Sequence, residues 1–204
     1  MRTLVIATKN LRKLRELKRY LKSIRADIVS LADFPKPPRI IENGNTFKQN
    51  AAKKALVASR FVNGLAIADD SGLCVNALKG APGIRSSRFA GPAKSDKANN
   101  RKVLGLLKDT PLSKRQAAFV CAVAIADKGR ILKLIEESCR GLIAFQPKGR
   151  HGFGYDPIFL IPRYGKTFGQ LGLKVKDRMS HRSKALKKAR VFLRKYLSGR
   201  SAAG

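Results

Sequence analysis

The chain has no tryptophan, two histidines, two methionines and three cysteines among its 204 residues, and each scarcity closes off a kind of chemistry. His151 and His181 lie far apart and offer no pair of metal ligands. Cys74, Cys121 and Cys139 are odd in number and lack CxxC spacing, so they read as buried free thiols rather than disulfides or a zinc site. Apolar runs are short: Ala117 to Ala126 is about half of the roughly 20 residues that a bilayer span needs. The opening MRTLVIATKN turns polar too soon for a signal peptide and reads as a first strand, so the expected location is cytoplasmic, away from membranes. Negative charge is the scarcest feature of all. Thirteen Asp and Glu stand against 44 Lys and Arg, a formal net charge of +31. That excess suits polyanionic partners, from nucleotides to non-specifically bound nucleic acid, and equally a dispersed solvated surface, because the cations recur from Arg2 to Arg200, often singly between apolar residues. With so few acids, each one is informative.

What is present is an α/β pattern long enough to bury a core. Thr3 to Ala7 is an apolar strand, and Leu11, Leu14, Leu17, Leu21 and Ile24 then fall at helical spacing. Asp27 to Leu31 reads as a second strand, and FPKPPR (34–39) forces an extended loop. Thr46 opens a second helix with Gln49 as capping partner and Phe47, Ala51, Ala55 and Ala58 as its apolar seam. Leu65 to Ala68 is a buried strand ending in Asp69-Asp70-Ser71-Gly72, with Leu73 to Leu78 as a strand running on from it. A third helix runs from Ser95 to Leu107. Gln116 to Ala126 and Arg130 to Ser138 form a hairpin closed by Asp127-Lys128-Gly129, and Cys139 to Phe145 is a further strand. The loop GRHGFGYDPIF (149–159) feeds another strand, a basic stretch reaches Arg178, and a last helix spans 183–197 before the fraying tail SGRSAAG (198–204).

Five places could carry chemistry. Asp69-Asp70, two carboxylates at the end of a buried strand, repel each other and lose solvent, which raises at least one pKa unless a cation is near. Read alone, the pair suits either hard Mg²⁺ or a solvated turn, and Glu42 is a weaker candidate for the same site. Thr8-Lys9-Asn10 with Lys13 sits where a strand hands over to a helix, either an anion site or an ordinary capped turn. It lacks the glycine spacing of a Walker A loop. Lys54 lies on the second helix near Asn50 and could point inward. Gly152-Phe153-Gly154-Tyr155-Asp156 offers an aromatic face and a carboxylate for a planar base, or a tight turn with core aromatics. Ser180-His181-Arg182 offers a helix cap plus two donors for a purine edge or phosphate.

Six segments together resemble the inosine triphosphate pyrophosphatase family, the non-canonical purine NTP pyrophosphatases. They are ATKNLRKLRE (7–16), ENGNTFKQNAAKKA (42–55), ADDSG (68–72), GAPGIRSSRFAG (80–91), GFGYDPIF (152–159) and SHRSKAL (180–186), in the family's order. The resemblance implies one domain over 1–197, a long mixed sheet flanked by helices, with two lobes around a nucleotide cleft, and a homodimer. It implies Mg²⁺-dependent hydrolysis of ITP, dITP and XTP to the monophosphate and pyrophosphate. Carried over residue by residue, Asp70 is the general base and a metal ligand, with Glu42 and Asp69 in the metal shell. Thr8, Lys9, Asn10, Lys13, Lys54 and Ser71 hold the triphosphate, with Lys54 also supplying catalytic charge. Phe153, Gly154, Tyr155, Asp156, Lys176, His181 and Arg182 form the base pocket.

Phosphoanhydride cleavage needs charge neutralisation and an aligned water more than covalent catalysis, which agrees with this residue set. Donors facing O6 reject the amino group of adenine. The chain departs from the family at Gln49, where Glu is usual, at Gly169-Gln170, where Ala-Glu is usual, and at Lys174-Val175, where acids are common. The alternative function is a basic nucleic-acid binder that keeps the fold with weakened or lost catalysis, although no nucleic-acid-binding motif and no interleaved aromatics support it.

Overall fold

In the computed structural model, which describes residues 2–199, β1 (Arg2–Ile6) runs parallel to β2 (Ala26–Ser30), with Leu4 opposite Ile28. Between them α1 (Leu11–Leu21) buries Leu17 and Leu21, while Leu11 is exposed and contributes nothing to the apolar face expected of it. Asn10 caps α1, which turns Leu11 outward at the first helical position. The second helix, α2 (Phe47–Phe61), starts behind Thr46, whose hydroxyl accepts from Gln49 N, and its whole expected seam is buried.

β3 (Leu65–Val75) corrects the sequence reading. It does not end at Asp69 but runs unbroken through Asp69, Asp70, Ser71 and Gly72, parallel to β1. After α3 (Asp96–Leu106), capped by Ser95 as expected, come β4 (Gln116–Asp127) and β5 (Arg130–Ile143). The hairpin turn lies as read, but Cys139 to Ile143 continues β5 rather than forming a separate strand. β6 (Phe159–Ile161) and β7 (Lys166–Thr167) add antiparallel pairs, and the seven strands lie in the order β2-β1-β3-β4-β5-β6-β7. The α/β class with a mixed sheet is as expected.

Two helices differ from expectation at the C-terminal end. α4 (Leu173–Met179) occupies the stretch read only as basic; Leu171, Val175 and Met179, four residues apart, pack against one core while the cations between them hid that period. α5 (His181–Leu197) begins two residues earlier than read, because the Ser180 hydroxyl accepts from Ser183 N at 3.2 Å and so caps the chain at 180. Residues 200–204 of the tail lie outside the described residues.

The chain divides into two compact units. The first comprises the chain up to Asp70, Cys121–Glu137 and the chain from Lys184; the second comprises Ser71–Val120 and Ser138–Ser183. Each has its own core. The first packs Leu4, Ile6 and Ile67 with Leu17, Leu21, Leu186 and Leu193. The second packs Leu73, Val75, Phe119, Phe159 and Phe168 with Tyr155 and Ile158. Among the described residues no helix is long and apolar enough to cross a membrane, and the three cysteines are free thiols, Cys121 and Cys139 buried and Cys74 half-buried.

Candidate active site

Successive side chains of a strand point to opposite faces, so placing Asp69 and Asp70 inside β3 separates the two carboxylates. Asp69 is fully buried and takes the Lys13 ammonium at 3.0 Å. Asp70 instead meets α2: Asn50 Nδ2 donates to its Oδ2 at 3.1 Å, and Lys54 Nζ lies 3.6 Å from its Oδ1. The expected rise in pKa is found at Asp70. Burial is the largest contribution and Glu42 adds to it, while Lys54, Lys13 and the Asn50 hydrogen bond pull the other way.

Lys54 also donates to Glu42 Oε1 at 2.9 Å, so one buried ammonium joins the two carboxylates. Burial lowers its pKa, yet the fields of Asp70, Asp69 and Glu42 outweigh that and leave it raised, hence charged. Glu42 is held there by a strap. Lys53 donates to Asn43 Oδ1 at 2.6 Å, Gly44 N to Asn50 Oδ1 at 2.8 Å, and Asn45 N to Gln49 Oε1 at 2.7 Å. Four consecutive residues, 42 to 45, are thus tied side by side along α2. Gln49 therefore acts as a capping acceptor, a role in which an amide oxygen replaces a carboxylate. Gln170 is similar: its Oε1 accepts from Thr167 N at 3.1 Å.

The turn between β1 and α1 is a capped turn in this structure. Asn10 Oδ1 accepts from Arg12 N and Lys13 N at 3.0 and 3.2 Å, and Thr8 Oγ1 accepts from Asn10 N at 3.2 Å. Lys9 and Asn10 are exposed and Thr8 half-buried. Of this group only Lys13 is directed at an acid.

The second unit carries the remaining candidates. Asp156, 2 % exposed, accepts at Oδ2 from Lys176 Nζ at 2.5 Å and from Phe153 N at 2.7 Å. Gly152 has φ +80°, and a Cβ there would come within 1.9 Å of Asp156 Oδ2, so glycine is required where the loop closes on the carboxylate. Phe153 is half-buried, with Lys176 Nζ 5.1 Å and Arg182 Cζ 5.4 Å from its ring centre. Arg182 donates to Ser71 Oγ at 2.6 Å, and His181 stacks on Phe119 at 4.7 Å. Tyr155 is a core residue here: its ring is buried and its hydroxyl donates to Ser86 O at 2.7 Å. Burial, then the charge of Asp96, pushes its pKa up.

The structure thus brings Asp70, Lys54 and Glu42 together, pairs Asp69 with Lys13, and gathers Phe153, Asp156, Lys176, Ser71 and Arg182. Among the described residues no three His, Cys, Asp or Glu side chains converge as metal ligands, Asp69 being turned to Lys13. Sequence reasoning named Asn50 only as a neighbour of Lys54, without its role in orienting Asp70, and left out two residues of α3, Asp96 and Asn100. Asp96 Oδ2 accepts from Gly154 N at 3.0 Å and Asn100 Nδ2 donates to Gly154 O at 3.1 Å. The signal for Asp96 was its rarity as an acid; nothing local marked Asn100.

The chain is similar to known proteins over nearly its whole length. The profile of the Ham1 family matches residues 4–192. A dITP/XTP pyrophosphatase of Desulforamulus reducens is 50 % identical over 190 residues, covering 93 % of this chain and 94 % of that protein. Among solved structures, a HAM1 protein from Coxiella burnetii superposes with a TM-score of 0.87 at 37 % identity, covering 95 % of this chain and 98 % of that one. The Staphylococcus aureus Ham1 protein also gives 0.87 at 37 % identity, covering 96 % and 100 %.

Proposed function

Since the chain belongs to the Ham1 family, the family its six motifs resemble, we propose that it hydrolyses non-canonical purine nucleoside triphosphates, ITP, dITP and XTP, to the monophosphate and pyrophosphate. The observation that carries this reading is the buried Asp70 carboxylate joined to Glu42 through the Lys54 ammonium. A general base works best when its pKa lies nearer the working pH, and burial moves Asp70 in that direction. Asn50 holds one oxygen of Asp70, which leaves the orientation of the carboxylate determined before a water arrives. Lys54 keeps its proton and adds fixed positive charge for the phosphates, and the Lys13 side chain beside Asp69 is a second cation. Ser71, the next residue on β3, is aligned by Arg182.

The residues fit a hard divalent cation, since Glu42 and Asp70 are oxygen donors that already share one positive charge, that of Lys54. Bound there, Mg²⁺ would neutralise charge on the triphosphate and favour departure of pyrophosphate. Glu42 and Asp70 are the primary ligands in this reading and Asp69 the outer member.

Base recognition belongs to Phe153, Gly154, Asp156, Lys176, His181 and Arg182. The N–H groups of Phe153 and Gly154 are taken by Asp156 and Asp96, so donation to O6 falls to His181 and Arg182. Tyr155 contributes through the fold of the loop. Thr8, Lys9 and Asn10 complete the phosphate set. A single catalytic domain over 1–197, a homodimer and a cytoplasmic location belong to the same proposal, resting on the family resemblance. No observation favours the nucleic-acid-binding alternative.

The test is pyrophosphate release from ITP, XTP, GTP and ATP with Mg²⁺, beside Asp70→Asn. Release from ITP and XTP well above GTP and ATP, lost in the variant, is the expected result. Equal release from all four, or full activity in Asp70→Asn, refutes the assignment.

A further inference from the structure

The loop that carries Phe153 is anchored unevenly. Tyr155 is buried and bonded to Ser86, and Asp156 is locked to Lys176. Gly154 has no such packing: φ is +64°, and a Cβ placed on it would meet nothing within 4 Å. Its position is held by hydrogen bonds from α3. Asp96 takes its N–H and Asn100 donates to its carbonyl, and the four-residue spacing puts both side chains on one face of the helix.

The start of α3 is a firm reference for that grip. Ser95 caps it, and Asn99, the residue before Asn100, accepts from Ala90 N at 2.7 Å and donates to Ser87 O at 3.2 Å. Asn100 is 6 % exposed, and its Oδ1 is buried with no hydrogen-bond partner among the described residues. A buried acceptor without a partner weakens the fold, so stability does not account for asparagine at this position. Its donor to Gly154 does.

We infer that Asp96 and Asn100 are positioning residues that clamp Gly154, set the placement of the Phe153 ring, and so govern how tightly and how selectively the purine is held. The inference rests on the pyrophosphatase reading, and it assigns α3 a part in substrate selection through its hold on Gly154.

The experiment compares wild type with Asn100→Ala, Asp96→Ala and Asp96→Asn. It reads kcat and KM for ITP and GTP, calorimetric affinity for IMP, and thermal stability. Asn100→Ala is expected to melt with the wild type while KM for ITP rises about threefold to tenfold, the equivalent of one neutral hydrogen bond, with kcat within about twofold. The preference for ITP over GTP narrows in parallel. Asp96→Asn, whose amide oxygen still accepts, recovers most of what Asp96→Ala loses. Unchanged KM and preference in a folded Asn100→Ala, or a fall in kcat at constant KM, overturns the inference; if Asp96→Ala fails to fold, Asn100→Ala decides. A wild type that binds IMP but releases no pyrophosphate from ITP refutes the catalytic reading alone, and the IMP affinities then judge the clamp: equal affinities overturn it. A wild type that does not bind IMP overturns both.

Discussion

Gly169 stands where the family usually has alanine, and restoring alanine is the kind of substitution that commonly stabilises a protein. The structure argues for the opposite result. A Cβ on Gly169 would lie 2.5 Å from Lys148 O and 2.9 Å from Pro157 Cα, both backbone atoms that no rotamer change can move. Those atoms are themselves tied: Thr167 Oγ1 donates to Lys148 O at 2.6 Å, and Lys148 N donates to Pro157 O at 2.8 Å. Two effects compete. Replacing glycine by alanine restricts the unfolded chain and gains about 0.4–1 kcal/mol. Forcing a methyl into occupied space costs about 1–3 kcal/mol. The clash wins, leaving Gly169→Ala about 1–2 kcal/mol less stable than the wild type. For a chain of this length that lowers the melting temperature by roughly 3–6 °C, readable in a thermal melt and in the urea midpoint. The disturbance should also reach the site, since Gly169 N donates to Asp156 O at 2.8 Å, and KM for ITP should rise with it. A melting temperature equal to or above the wild type's would refute the reasoning, because it would mean that the backbone at 148 and 157 gives way without cost.

Gln49→Glu should leave pyrophosphatase activity within about twofold, because a carboxylate accepts from Asn45 N as an amide does; a large gain would show instead that a charge at 49 belongs to the metal shell. Tyr155 keeps its proton in the folded protein above the pH at which the unfolded chain releases it, so the unfolded state binds fewer protons there and stability falls as pH rises above about 10, by about 1.4 kcal/mol per unit. Urea titrations between pH 9 and 11 should show that fall and a shallower one in Tyr155→Phe; parallel slopes would contradict it. Chelation with EDTA should abolish turnover and Mg²⁺ restore it, whereas activity that survives chelation would exclude Glu42 and Asp70 as ligands of an essential cation.

Much of this protein was readable along its chain. The amphipathic helices at 11–21, 47–61 and 96–106, the strands β1 and β2, the hairpin turn at 127–129 and the Ser180 cap are local matters, decided by periodicity of 3.6 or 2 and by the side chains that satisfy helix ends. The motifs carried the family, because ADDSG, GFGYDPIF and SHRSKAL are contiguous in sequence. Even Gln49 and the Thr46 hydroxyl, as capping partners, follow from spacing alone.

Only the tertiary structure decided what the acids do. Adjacent in sequence, Asp69 and Asp70 look like one repelling pair; pairing along β3 sends them to opposite faces, one to Lys13 and one to Lys54. The strap from Glu42 to Asn45 along α2 joins residues 4 to 12 positions apart, and the grip of Asp96 and Asn100 on Gly154 joins residues far apart in the chain, 54 positions in the case of Asn100. α4 was hidden because its cations mask a short apolar period that matters only once a core exists to receive it. Helix ends and turns are settled by neighbours within a few residues, which a sequence displays. The charge state of a buried carboxylate and the placement of a loop depend on desolvation and on partners that folding alone brings into contact.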